Sequence, residues 1–430
     1  MVFRADDIQL FKQKALAWAN NFNVSCYLDS NNFSNQYSKF ETTIAAGIKD
    51  ELTANNHLSA FNQLEAFYIK WSGLPMFGFF TYDLKNEIED LSSSNADYLD
   101  FPLLYFFVPN EYIQIIGDTI EIESDDPEST FEEINRTPLI IPDNTANKIQ
   151  LQSRFSKAEY ISTVNQIKDH INRGDIYVTN FCQEFYADNA TIDPLNTFLK
   201  LNQISPNPFA AFFKLGSKYV LCASPERFLA KRGTKLISQP IKGTARRDED
   251  EATDESIKST LKSHPKELQE NVMIVDMVRN DLTKSAQQGS VKAEKLFEIQ
   301  SFRQVHQMVS TITCQLDDHT SSIEAIKNTF PMGSMTGAPK VSAMRLMEQY
   351  ERTRRGVYSG AIGYFEPYGD FDFNVVIRTI LYNADKEYLS FQVGSAITYH
   401  ADAEKEYEEC LLKAKAILEA LGQTISSLQS

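Results

Sequence analysis

No stretch of this sequence stays apolar long enough to cross a membrane; its most hydrophobic runs, LLYFFVP and VMIVDMV, are of core size. The N-terminus, MVFRADDIQLFKQKALAWANNF, carries mixed charge and no apolar centre, so a secretory signal is not expected. Cysteine is scarce: Cys26, Cys182, Cys222, Cys314 and Cys410 are scattered, with no C-x-x-C and no even framework. This argues against a zinc site or a disulfide scaffold and for buried, reduced thiols in a cytoplasm. Basic residues are in deficit, 42 Lys and Arg against 58 Asp and Glu, a net charge of -16. Such a surface repels nucleic acid and anionic lipid, so neither is an expected partner. An anionic substrate must then meet a local pocket of cations or a metal ion. Short-period repeats and low-complexity tracts are also missing.

What remains is a chain of 430 residues, 42% hydrophobic and 23% charged, the balance of a globular protein with a large core. Residues 1–120 combine an amphipathic helix with aromatic-rich strands such as Met76 to Tyr82 and Tyr105 to Val108. Residues 121–150 are acidic and punctuated by Pro127, Pro138 and Pro142, the profile of a connection. Residues 151–430 open with a helix, Lys157 to Arg173, closed by Gly174; strand-like runs follow (DIYVTNFCQEFY, FAAFFKL, YVLCASP, KLISQPI). A charged stretch, Arg246 to Glu267, reads as a solvated loop or an exposed helix. Helices and antiparallel-type strands alternate irregularly, which favours an α+β layered fold over a parallel doubly wound one.

Several segments carry chemistry. In QPIKGTAR, Lys242 lies in what reads as a proline-primed turn; a lysine stripped of water there becomes a nucleophile, while its bland reading is a solvated turn residue. In ASPERFL, Glu226 follows a strand and a proline bend, and is either an ion-pair partner of Arg227 or a buried acid able to protonate a leaving hydroxyl. In ELQENVMIVDMVRNDL, an apolar stripe of Leu268, Val272, Val275 and Leu282 turns Glu270 to another side. The final helix, capped by Asp402, buries Tyr407, Leu411, Ala414 and Leu418 and sets Glu406, Glu409 and Lys413 on one face. Two carboxylates one turn apart plus a third from another helix make an oxygen-rich set suited to Mg2+. FPMGSMTGAPK is too short between Gly333 and Gly337 for a nucleotide loop. It offers instead exposed N–H groups and hydroxyls at Ser334 and Thr336, a carboxylate-binding corner. Arg378, alternating with apolar neighbours in FNVVIRTI, is a second anchor, and VGSAI (Gly394, Ser395) gives a close backbone approach.

These segments, with VHQMVSTI and EKEYEECLLKAKAIL, resemble in sequence and order the chorismate-utilising enzymes, over roughly Phe155 to Leu421. That family includes anthranilate synthase component I, isochorismate and salicylate synthases and aminodeoxychorismate synthase component I. The resemblance implies an anthranilate synthase component I-like fold, two antiparallel sheets packed between helices. The PIKGT form resembles the aminodeoxychorismate synthase branch. It implies that Lys242 attacks C2 of chorismate, that Glu226 protonates the departing C4 hydroxyl, and that ammonia adds at C4 to give 4-amino-4-deoxychorismate for folate synthesis. It further implies Glu270 and Glu409 as direct Mg2+ ligands, Glu406 as a water-mediated one, and Arg378, Thr336, Gly337, Gly394, Ser395 and Thr244 around the substrate. CYLDSN resembles the segment where relatives carry a regulatory or structural tryptophan site.

The chain departs from the family pattern at Val178, where water-adding relatives have a lysine base, which counts against an isochorismate synthase. Gln307 stands where many relatives have histidine, with His306 beside it as a substitute, and Ala245-Arg246 replace Arg-Pro. No cysteine lies in a G-x-C-x-G elbow, so ammonia is expected from a separate glutamine amidotransferase. The alternatives are anthranilate synthase component I, which shares all but the lysine, and a non-catalytic regulatory relative.

Overall fold

Runs in which aromatic and small residues alternate form the strands of two antiparallel sheets, one of twelve strands and one of ten among the described residues. The computed structural model describes residues 1–140, 149–302 and 305–428. Strand periodicity explains the layering, since successive side chains point to opposite faces. In the larger sheet Tyr27, Phe212 and Leu221 face an outer core, while Cys26, Phe213 and Val220 face an inner one. The outer core is closed by helices Ile8–Ala19, Lys157–Arg173, Pro194–Ile204 and Ala403–Ala420. The inner core is largely aromatic and joins the sheets: Phe213 of one meets Phe79 of the other edge-on, centroids 5.3 Å apart. Helices Ala60–Lys70, Pro265–Thr283 and Ser322–Thr329 belong to the same core.

The expected helix Lys157–Arg173 is present, closed as expected by Gly174. Ser156 and Glu159 form a capping box, and Gly174 ends it in the left-handed region at φ 84. Asp402 caps the final helix, whose predicted stripe of Tyr407, Leu411, Ala414 and Leu418 is buried.

Other expectations change. Residues 121–150 are more than a connection: Thr119–Glu123 is a strand of the larger sheet and Pro127–Arg136 a helix whose Phe131 stacks on Phe3. Pro142 lies outside the described residues. Both sheets draw strands from before residue 120 and after residue 151. Of the two readings of the Arg246–Glu267 stretch the structure takes the helix, Glu251–Ser263, capped by Asp250. The stripe on Pro265–Thr283 is rotated: Asn271, Ile274, Val275 and Val278 are buried, and Val272 is exposed.

Among the connections that pass from sheet to sheet, two are hydrogen-bonded to each other. Strand Lys218–Ser224 belongs to the larger sheet and Arg227–Arg232 to the smaller, so Pro225-Glu226 is a crossing. Phe371–Asn374 and Thr379–Asn383 divide likewise, so residues 375–378 are another. Beneath them Arg355 is wholly buried. It pairs with Glu351 at 2.7 Å and donates to the carbonyls of Met335 and Asn180, tying the glycine-rich turn to strand Val178–Ala187. Replacing Arg355 by methionine leaves the Glu351 carboxylate buried and unpaired, and should cost about 3–5 kcal/mol. Urea unfolding measures this, and a loss below about 1 kcal/mol would contradict the assigned role.

Candidate active site

Glu226 owes its place to the crossing it occupies. The Ser224 hydroxyl accepts the Glu226 N–H at 3.2 Å and donates to the Val375 carbonyl, while the Val375 N–H donates to the Glu226 carbonyl at 3.0 Å. The two crossings are thereby laced together, and Arg378 at the end of the second is brought to Glu226 despite a long sequence separation. Arg378 is not the strand residue its alternation suggests. It sits between strands at φ 52, a conformation that non-glycine residues seldom adopt, where the chain has just changed sheets.

Burial raises the Glu226 carboxyl to a pKa of about 7, against the opposing pull of the Ser334 hydroxyl, Lys242, the Ile241 N–H and Arg378. Desolvation likewise lowers Arg378 to about 10, with the Glu226 charge acting the other way.

Lys242 lies on the edge strand of the smaller sheet, Ile241–Arg246, rather than in a turn. Ile241 pairs with Val309 but Thr244 with Gln307, so an extra residue is accommodated between them. This β-bulge employs Gly243 at φ 97, and a side chain there would come within 3.1 Å of Glu267 Oε2. A Pro-Ile-Lys-Gly sequence signals a turn because a bulge and a turn use the same residues. The Lys242 amine lies 3.8 Å from Glu270 Oε2.

Glu270 projects from helix Pro265–Thr283, Glu406 and Glu409 from the final helix. Lys266 bridges the two helices, 3.8 Å from Glu270 Oε1 and 3.5 Å from Glu406 Oε1. Lys413 pairs with Glu409 at 2.7 Å and donates to the Gly394 carbonyl at 2.8 Å. The Ser395 hydroxyl donates to Glu406. Burial raises the Glu406 carboxyl, whereas Lys413 lowers that of Glu409. Among the described residues, no three His, Cys, Asp or Glu side chains are grouped closely enough to hold a metal ion as they stand. The donor set is nonetheless all oxygen, and Glu270 Oε1 is a buried carboxylate oxygen without a hydrogen-bond partner. A hard cation suits both features.

One cavity of about 1110 Å³ gathers Glu226, Lys242, Thr244, Glu270, Arg378, Gly394, Glu406 and Glu409. Of the other residues singled out from sequence, Ser334 and Lys413 also line it, whereas Gly337, Thr336, Ser395 and His306 do not. Gly337 packs on strand Val178–Ala187, where a side chain would meet the Val178 carbonyl at 2.2 Å. Thr336 turns its hydroxyl to the Met332 and Gly333 carbonyls, and Ser395 serves Glu406. His306 is fully buried away from the cavity, its ring held by Asp254 at 2.8 Å and Ser301 at 2.9 Å, because on a strand it points opposite to Gln307. Gln307 lines the cavity instead, with Oε1 buried and unpartnered.

Lys266 and Glu267 also line the cavity and were not singled out. The i, i+4 spacing of Lys266 to Glu270 was the available signal. Asp29 and Ser30 of CYLDSN line a second cavity of about 530 Å³ that holds none of the candidate residues.

A model of the chorismate binding enzyme family matches residues 14–419. The chain belongs to this family. It is 40% identical over 277 residues to the probable chloroplastic aminodeoxychorismate synthase of Oryza sativa subsp. japonica, an alignment covering 64% of this chain and 31% of that protein. It is 37% identical over 270 residues to aminodeoxychorismate synthase component 1 of Escherichia coli (strain K12), covering 63% of this chain and 59% of that one. The chain thus spans about a third of the rice relative and under two thirds of the bacterial one. In structure it is similar to anthranilate synthase component I from Streptococcus pneumoniae, with a TM-score of 0.77, 25% identity and 90% and 95% of the two chains covered. The α+β fold of two antiparallel sheets is therefore that of anthranilate synthase component I.

For this chorismate-binding family member the buried acid has a consequence for stability. The folded pKa of Glu226 lies above its unfolded value, so its protonated form favours folding below the unfolded pKa, and that contribution is lost as pH rises through about 7. Glu226→Gln lacks this loss. Relative to the unaltered protein, its unfolding free energy should therefore improve between pH 5 and pH 8, as read by urea unfolding at both values; an unchanged or reversed difference would contradict the burial of a titrating acid.

Proposed function

We propose that the chain aminates chorismate with ammonia to 4-amino-4-deoxychorismate, through a covalent bond to Lys242. The observation that carries this reading is the convergence of a lysine amine and a carboxyl titrating near neutrality on one cavity. A carboxyl with a pKa near the working pH is well matched to general acid catalysis.

The Lys242 nitrogen, as free amine, bonds to C2 of the ring while the C4–O bond breaks, and Glu226 gives its proton so that the hydroxyl leaves as water. Ammonia then bonds at C4, the C2–N bond to Lys242 breaks, and the amine is regenerated. Arg378 supplies a fixed cation for a substrate carboxylate, and the desolvation that lowers its pKa also strengthens such a pairing. Arg378 gives the anionic substrate a local positive charge that the acidic chain as a whole lacks.

Mg2+ is the cofactor of this proposal, with Glu270 and Glu409 as direct ligands and Glu406 through water. When bound it would neutralise the ring carboxylate and act as a Lewis acid. Support lies in the oxygen-only donor set and the unpartnered Glu270 oxygen.

Ammonia would come from a glutamine amidotransferase activity held elsewhere than in these residues. All five cysteines are buried, and burial raises every one of their thiol pKa values, the reverse of what a nucleophilic thiolate requires. The same unpaired thiols fit a cytoplasmic setting.

Purified protein given chorismate, Mg2+ and ammonium should yield 4-amino-4-deoxychorismate, and Lys242→Ala should abolish it while leaving the melting temperature in place; fluorescent anthranilate as sole product would refute the proposal. Glu270→Gln should weaken Mg2+-dependent chorismate binding by about tenfold or more, as the loss of one charged ligand implies. Calorimetric titration at several Mg2+ concentrations reads this, and an unchanged Mg2+ dependence removes Glu270 from the metal set.

A further inference from the structure

Consecutive residues of one helix hold Lys242 at both ends. Glu270 faces its amine at 3.8 Å, and the Asn271 carboxamide donates to its backbone carbonyl at 3.2 Å. Asn271 is itself fixed: it is 1% exposed, and its Oδ1 accepts the Ser310 hydroxyl at 2.7 Å. Ser310 is fully buried, its oxygen also accepts the Phe297 N–H at 3.2 Å, and its own N–H donates to the Pro240 carbonyl at 3.2 Å. One chain of bonds thus runs from strand Lys292–Ser301, through Val305–Gln315 and the helix, to the bulge that carries Lys242.

A bulge is where a strand's ladder skips a residue, so its backbone torsions are less constrained by pairing than those on either side. Lysine places its nitrogen at the end of a long flexible stem, and a small rotation of the backbone displaces that nitrogen widely. Something outside the ladder must therefore set the direction from which the stem leaves. Glu270 cannot do so alone, since a single contact at the amine leaves the stem free to pivot.

We infer that Asn271, oriented by Ser310, is a positioning residue for Lys242: by holding the Lys242 carbonyl it aims the amine at the substrate. The inference rests on the reading of Lys242 as the nucleophile. Asn271 takes no part in the bond changes; it exchanges no proton and touches no reacting atom.

The test uses the purified full chain with Mg2+ and chorismate but no ammonia, following the Lys242–substrate adduct by intact mass over time, beside chorismate affinity and kcat with ammonium. Asn271→Ala should slow adduct formation and lower kcat by about ten- to a hundredfold, the scale expected for a reacting group misplaced by an ångström or less. Chorismate affinity should stay within about twofold, because uniform binding is untouched. Ser310→Ala, which leaves the carboxamide present but unoriented, should act in the same direction more weakly, and Ser310→Thr should restore the rate by restoring the hydroxyl. Should Asn271→Ala fail to fold, the Ser310 pair decides alone. Labelling at the unaltered rate in Ser310→Ala and in any folded Asn271→Ala overturns the inference, as does a loss of affinity and melting temperature in step with the loss of rate. No adduct on the unaltered chain overturns the nucleophile reading itself, and this inference with it.

Discussion

Taking a carboxylate or a guanidinium out of water costs several kcal/mol unless an opposite charge or a set of hydrogen bonds receives it. The second half of this chain buries ions of both signs around a single cavity, and the arrangement there follows from how each one is received. Arg378 and Glu226 each hold their charge less readily than in water, and each eases the other's desolvation. Lys266 lies between Glu270 and Glu406, and Lys413 against Glu409. Glu226 meets the constraint differently from the rest. With a pKa near 7 it carries a proton for part of the time, so the penalty for burying charge is itself the source of its acidity at neutral pH.

The fold delivers these groups by changing sheets. Glu226 and Arg378 sit where the chain leaves one sheet for the other, and the hydrogen bonds of Ser224 and Val375 join the crossings. At such points the backbone is not occupied by a ladder on both sides, so side chains and N–H groups can face a cavity without breaking sheet pairing. Lys242 uses the smaller sheet's other freedom, an edge strand with a bulge. The inter-sheet aromatic core keeps the sheets in register, and the crossings inherit their spacing from it.

Much of this was legible in the sequence, and the reasons are local. Helix ends declared themselves through Gly174 and Asp402, each acting on backbone groups a few residues away. Alternation gave the strands for the same reason. What local pattern could not supply was which way a side chain faces once tertiary contacts choose. Val272 joins the apolar spacing of its helix yet is exposed, because the helix presents Asn271 and Ile274 to the sheet. His306 and Gln307 are adjacent on one strand, so only one can reach the cavity, and register with Thr244 selects the glutamine. Arg378 kept strand alternation up to the residue at which the chain crosses over. The glycine-rich segment supplied the neighbourhood and one of its two named hydroxyls: Ser334 lines the cavity, whereas Thr336 and Gly337 are spent on packing against Val178–Ala187.

Glu270 stands where the two ends of the cavity meet. One oxygen faces the Lys242 amine and the other faces Lys266, both at 3.8 Å, so a single carboxylate serves the cationic and the acidic ends together. Those distances are longer than a charge-assisted hydrogen bond, and one of the oxygens is buried without a hydrogen-bond partner. A carboxylate held so loosely keeps most of its capacity to take another cation, unlike Glu409, whose pairing with Lys413 at 2.7 Å is already close. Because Glu270 and Asn271 are neighbours on one helix, a shift of that carboxylate toward a bound ion loosens its hold on the amine but not the hold on the Lys242 backbone. The direction of the lysine and the charge beside it are thus set by separate contacts. Under the proposed covalent mechanism, a site that admits an anion and then forms a bond to it needs this separation, since the charge pattern changes during the reaction while the geometry has to persist.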